Sequence, residues 1–227
     1  MNNLVKTGEK YMKKKLKVLG ISVLSLILVL IIGVGMIFKG EIRTLISFKQ
    51  LNEHPFYEMT YHADYNLDEF LINGAATDDE LVSFVTKQIL KGVSFDVNPD
   101  GACSTFIATN LEDENLFGRN FDYVHSIGLI VRTQPKNGYK SISLVNLNHL
   151  GLSLENMPTK NLINRIVTLA APYAPLDGMN EKGLAIGVLV IQDGKVHQNT
   201  GKVPITTTSA IRMVLDKAAT VDEAIEL

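Results

Sequence analysis

The sequence predicts an α+β protein carried behind one membrane-spanning helix. Three observations lead there: an uncharged apolar run from Val18 to Phe38, a moderately polar, helix-patterned stretch over 40–102, and a series of short apolar runs of strand length that begins at Cys103. With 227 residues and a net charge of -2, the chain is long enough for a membrane segment and one domain with a true core. Charged residues make up 20% of the chain, with no basic field of the kind nucleic acid requires, so nucleic acid is excluded as a partner.

The run VLGISVLSLILVLIIGVGMIF at 18–38 has the length a helix needs to cross a hydrocarbon core about 30 Å thick. Residues 1–17 form a basic segment with Lys6, Lys10, Lys13, Lys14, Lys15 and Lys17, whereas Lys39, Glu41 and Arg43 follow the run in a mixed pattern. Lysine excess stays on the cytoplasmic side, so the remainder is expected to be extracytoplasmic, held to the cell membrane by a single pass. A cleavable signal peptide is the alternative. The run is longer than an ordinary h-region and no A-x-A site follows it, which favours an uncleaved anchor.

Residues 40–102 read as a helical pro-segment. Within it Thr77-Asp-Asp-Glu80 is a capping box, and Leu81, Phe84, Val85 and Ile89 share one helical face that must pack on something. Asn98-Pro-Asp-Gly101 is a turn signal that ends the segment just before Ala102 and Cys103. From Cys103 onward, strands are predicted at Ser104–Thr109, Asn115–Asn120, Gly128–Thr133, Ser141–Asn146 and Leu184–Ile191. The first two are joined by Leu111-Glu-Asp-Glu114, whose charge suits a hairpin loop. Helices are predicted over Asn161–Ala170 and Thr207–Ala219. A second capping box, Thr220-Val-Asp-Glu223, starts a helix that has barely begun at Leu227, and so short a helix has little stability of its own. The reading frame is therefore expected to continue, with 103–227 as the N-terminal part of its domain.

Cys103 is the single cysteine, so no intrachain disulfide is possible. His54, His62, His125, His149 and His197 are scattered without metal-ligand spacing, and each reads as a solvated or locally hydrogen-bonded side chain. No metal or other cofactor is expected. A catalytic cysteine needs a base and a nearby positive charge to populate its thiolate. Cys103 follows a Gly-containing turn at a strand start, and Arg119 and Asp122 return beside it if the next strand folds back as a hairpin. The other reading of Cys103 is a small buried hydrophobe. A lipidated cysteine is excluded, because Cys103 lies far downstream of the apolar run.

The segment CSTFIATNLEDENLFGRNFDY, from Cys103 to Tyr123, resembles the opening of the choloylglycine hydrolase and acid ceramidase-like family: a cysteine at a strand start, then GRN-x-D-aromatic. A second block, Asp177-Gly-Met-Asn-Glu-Lys-Gly-Leu184, is similar to that family's DGMNEKGL segment. The resemblance covers 103–227. It implies an N-terminal-nucleophile (Ntn) hydrolase, a four-layer αββα sandwich whose nucleophile becomes the first residue after the chain cuts itself. Here that implies cleavage between Ala102 and Cys103. It further implies Cys103 as nucleophile, Arg119 as the guanidinium favouring the thiolate, and Asp122 as the carboxylate orienting the new amine. The base is then the cysteine's own α-amino group, with an ordinary pKa of about 7.7–8.0, and no histidine is needed.

The implied activity is hydrolysis of linear amide C–N bonds through a thioester, on small-molecule N-acyl amides such as N-acyl amines, N-acyl amino acids or penicillin V. Asn180, Glu181 and Lys182 read as a turn feeding a buried strand and receive no catalytic role. Val190 stands where bile salt hydrolases carry an oxyanion-hole Asn, which argues against bile salts as substrate and leaves a backbone N–H to serve. Two rivals stand beside this reading: a catalytically silent, membrane-tethered sensor or binding module of the same fold, and a papain-like Cys/His hydrolase with one essential histidine. Oligomeric state is not legible.

Overall fold

The computed structural model describes residues 2–95, 102–122, 126–189 and 200–227. The turn expected over 98–101 and residues Tyr123, His125, Val190 and His197 lie outside them. Helix α1 (Asn2–Ile37) contains the apolar run as far as Ile37, and its Lys14–Ile37 stretch is long and apolar enough to cross a membrane. Helix α2 (Lys39–Ser47) follows almost at once, with Phe38 N–H bonded to the Val34 carbonyl at 3.0 Å and Ile42 N–H to that of Phe38 at 2.9 Å. Thr44 anchors α2 to the folded body: its hydroxyl accepts the His62 N–H at 2.8 Å.

The 40–102 stretch differs from its purely helical expectation. Besides α3 (Leu67–Asn73) and α4 (Asp78–Gln88), it supplies strands β1 (Lys49–Gln50) and β2 (Phe56–Thr60). β2 pairs in parallel with β5 (Gly128–Thr133), placing Tyr57 beside Leu129 and Met59 beside Val131. A five-residue strand after the polar LNEHP stretch carries little signal, and pairing with a distant strand is what makes it one. Across Ala102–Cys103 the sequence changes character, yet the core does not divide there. Tyr57, Met59, Tyr61, Phe70, Leu81 and Val85 pack in one buried cluster with Leu129, Val131, Val145 and Tyr173.

The main sheet runs β1-β2-β5-β6-β7-β8, with β6 (Ser141–Asn146), β7 (Asp177–Asn180) and β8 (Ala185–Gly187) antiparallel after the β2–β5 step. One face, carrying Tyr57, Met59, Leu129, Val131, Ser143 and Val145, is buried. Helical segments cover it: α5 (Leu162–Val167), continued as a tighter 3-10 turn through Tyr173, and α6 (Thr207–Lys217). A Cβ at Gly178 would lie 2.6 Å from the Ile142 carbonyl oxygen of β6 and 2.7 Å from Leu215 Cδ1 of α6, so this position is closed to any side chain chiefly by the neighbouring strand's backbone. Arg212 of α6 is fully buried, its Nη2 donating to Asp216 at 2.5 Å and to Ser141 at 2.6 Å.

β3 (Ala102–Thr109) and β4 (Asn115–Asp122) form a separate antiparallel hairpin. Its loop closes as expected, with the Asn110 side chain accepting from Glu112 N–H at 3.0 Å and Glu114 N–H at 2.8 Å. Both capping boxes form: Thr77 accepts from Glu80 N–H and Thr220 from Glu223 N–H, each at 3.2 Å. The strand expected to run to Ile191 ends at Gly187 among the described residues, and β7 was not anticipated because Asp-Gly-Met-Asn reads locally as a turn.

Candidate active site

The hairpin register decides which side chains share a face. Cys103 pairs with Phe121 and Thr105 with Arg119, so these four point to one side, while Asp122, in register with Ala102, points to the other. On the main sheet, Asp177 and Gly187 form a cross-strand pair on the face opposite the helices. Arg119 joins the two sheets. Its Nη2 donates to Cys103 Sγ at 3.0 Å, its Nη1 donates to the Val188 carbonyl beside the end of β8, and its Nε lies 3.4 Å from Asp177 Oδ2. The thiol thus sits between hairpin and sheet with a guanidinium on it.

The Arg119–Asp177 pair is well covered, with side-chain exposures of 6% and 13%. Neither Arg119 Nε nor Asp177 Oδ2 makes a hydrogen bond among the described residues, so the contact is an ion pair without directional bonding. Burial pushes the Asp177 carboxyl above the usual aspartate range, and the Arg119 charge pulls in the opposite direction. Phe121 stacks edge-on against His149 at 5.9 Å between ring centres. His149 is buried at 7% exposure, which removes the solvated alternative for that histidine and keeps the locally bonded one: it follows β6 directly, and the short 3-10 turn at Leu147–Leu150 turns it inward.

Of the residues singled out by sequence, Cys103 and Arg119 are in contact. Asp122 is exposed at the end of β4, opposite Ala102, and accepts from Asn120 Nδ2 at 2.7 Å. Asn180 is fixed by structure. Its Nδ2 donates to the Leu215 and Ala218 carbonyls at 3.1 and 2.7 Å, and its Oδ1 accepts from Lys182 and Leu184 N–H at 3.0 and 3.2 Å. The turn it opens closes with Gly183 at φ 82°, the left-handed residue of a three-residue hairpin loop. Asp177 was missed as a site residue. The only sequence signal was its place at the head of the DGMNEKGL block.

A thiol, a guanidinium and a buried carboxylate between two sheets suit nucleophilic chemistry on a carbonyl. Residues 103–227 match the family model described as linear amide C-N hydrolases, choloylglycine hydrolase family. The chain belongs to that family, whose chemistry is hydrolysis of amide C–N bonds. No curated protein and no solved structure matches it.

Proposed function

We propose that the protein is a membrane-anchored N-terminal-nucleophile amidase, in which Cys103 first cuts the Ala102–Cys103 bond and then hydrolyses small N-acyl amides. The observation that carries this reading is the 3.0 Å contact of Arg119 Nη2 with Cys103 Sγ, at the first residue of the family match. A guanidinium there favours the thiolate.

In self-processing, Sγ attacks the Ala102 carbonyl carbon, the C–N bond to Cys103 breaks, and its nitrogen takes a proton. Water then hydrolyses the resulting thioester, leaving a carboxylate on Ala102 and a free amine on Cys103. In catalysis that amine accepts the thiol proton as Sγ attacks the substrate amide, and returns it to the leaving amine; a second water releases the acid. Asp122, level with Ala102 at the hairpin's open end, holds the new ammonium. The four-layer αββα sandwich belongs to the same proposal, with the helix-covered sheet as two of its layers and the β3–β4 hairpin in a third.

The helix at 14–37 supports a single-pass anchor, and the lysines before it support an extracytoplasmic hydrolase domain. The test is amide hydrolysis by the full-length, detergent-solubilised protein on N-acyl amino acids, N-acyl amines and penicillin V. Turnover by the wild type that Cys103→Ala abolishes is expected. Turnover unaffected by Cys103→Ala would exclude the proposal.

A further inference from the structure

We propose that Asp177 is the positioning residue of this site: from the main sheet it holds the Arg119 guanidinium against Cys103 Sγ and thereby sets the pH at which the thiolate forms. The inference rests on the proposed role of Cys103 and extends it to a residue outside the hairpin.

Arg119 belongs to an otherwise exposed two-stranded hairpin, with Phe106 and Ile107 at 62% and 78% exposure, and such a hairpin has little rigidity of its own. What steadies its guanidinium lies on the other sheet. The Val188 carbonyl takes Nη1, and the Asp177 carboxylate lies along the Nε side, leaving Nη2 for the sulfur. Asp177 is itself fixed by β7, which pairs with β6 at Leu144 and with β8 at Gly187. A Cβ at Gly187 would make only ordinary van der Waals contact, 3.4 Å from Arg119 Nη1 and 3.5 Å from Asp177 Cβ, so it takes a larger side chain there to crowd the guanidinium. A planar fork held on two sides loses little freedom when it meets the third partner.

Position and charge make opposite predictions, which permits a clean test. Alkylation of Cys103 by iodoacetamide in the full chain is followed by mass across pH 5 to 10, alongside circular dichroism to establish folding. Asp177→Ala removes the anchor and is expected to slow alkylation at pH 7 about tenfold, with the inflection moving up by about one pH unit. Asp177→Asn keeps a side chain of the same shape beside Nε but leaves the guanidinium charge unshared, so its inflection moves down. Gly187→Val, whose branches reach beyond Cβ, crowds Nη1 and is expected to follow Asp177→Ala. Profiles of folded Asp177→Ala that superimpose on the wild type would overturn the proposal, and so would Ala and Asn variants shifting together. Because alkylation reports on the thiol whether or not any amide is cut, an inactive, uncut wild type that still shows the opposed shifts refutes the amidase and leaves the positioning role standing.

Discussion

Replacing Asn180 by alanine tests whether the DGMNEKGL block stabilises the fold or performs chemistry. The side chain is 5% exposed and makes four hydrogen bonds, two of them to carbonyls at the C-terminal end of α6 that have no partner within the helix. Each such bond contributes about 1 kcal/mol net, so the substitution should cost roughly 4 kcal/mol. In a domain of this size that corresponds to a melting temperature lower by roughly 8–16 °C. Asn180→Asp separates the two halves of the effect. It retains the acceptor for Lys182 and Leu184 but sets an anion against the Leu215 and Ala218 carbonyls, so it should be no more stable than the alanine variant at pH 7 and recover on acidification, when the acid can donate. Thermal melts of the detergent-solubilised full-length protein by circular dichroism measure both. An alanine variant melting within about 2 °C of the wild type would refute the bond accounting. Normal melting with loss of amide hydrolysis would assign the block a chemical role.

Three other outcomes follow from the same geometry. Arg119→Lys should slow Cys103 alkylation at pH 7 by at least about tenfold, since a point charge cannot reach Sγ, the Val188 carbonyl and Asp177 together; mass spectrometry of alkylated protein checks it. After cleavage at Ala102–Cys103 the C-terminal piece should stay in the membrane fraction, because β2 is hydrogen-bonded to β5 across the break; Met59→Ala, expected to cost roughly 2–5 kcal/mol in that shared core, should release it at lower urea. Lys217 holds the Asp68 carboxyl below its usual range by a hydrogen bond. A lowered folded-state pKa adds stability above the ordinary aspartate value of about 3.9, lost as pH falls through the folded value, and this pair is exposed enough for under about 1 kcal/mol. In urea titrations Lys217→Ala should therefore cost more at pH 7 than near pH 2, where only its bond to the Asn137 carbonyl is left to lose.

Much of the fold was legible where the signal is local. β5 and β6 match their predicted bounds, the hairpin loop closes on Asn110, and both capping boxes form, because alternation, turn chemistry and caps are written in neighbouring residues. β2 and β7 escaped because each is defined by a partner far along the chain: β5 for the first, β6 for the second. The same limit applies to the site. Cys103 and Arg119 were paired from a hairpin spacing, which is local. Asp177 meets Arg119 only when the β7–β8 edge approaches the hairpin, and no pattern within either segment announces that contact. Nor does periodicity show that 40–102 would share one core with the residues beyond Cys103.

The central claim is that Cys103 becomes an N-terminal nucleophile. Intact-mass measurement of the full-length protein, purified as wild type and as Cys103→Ala, tests it most directly. Two chains separated between Ala102 and Cys103 in the wild type, and a single uncut chain in the variant, is the predicted result. An uncut wild type whose thiol reacts with iodoacetamide no faster than free cysteine would contradict it.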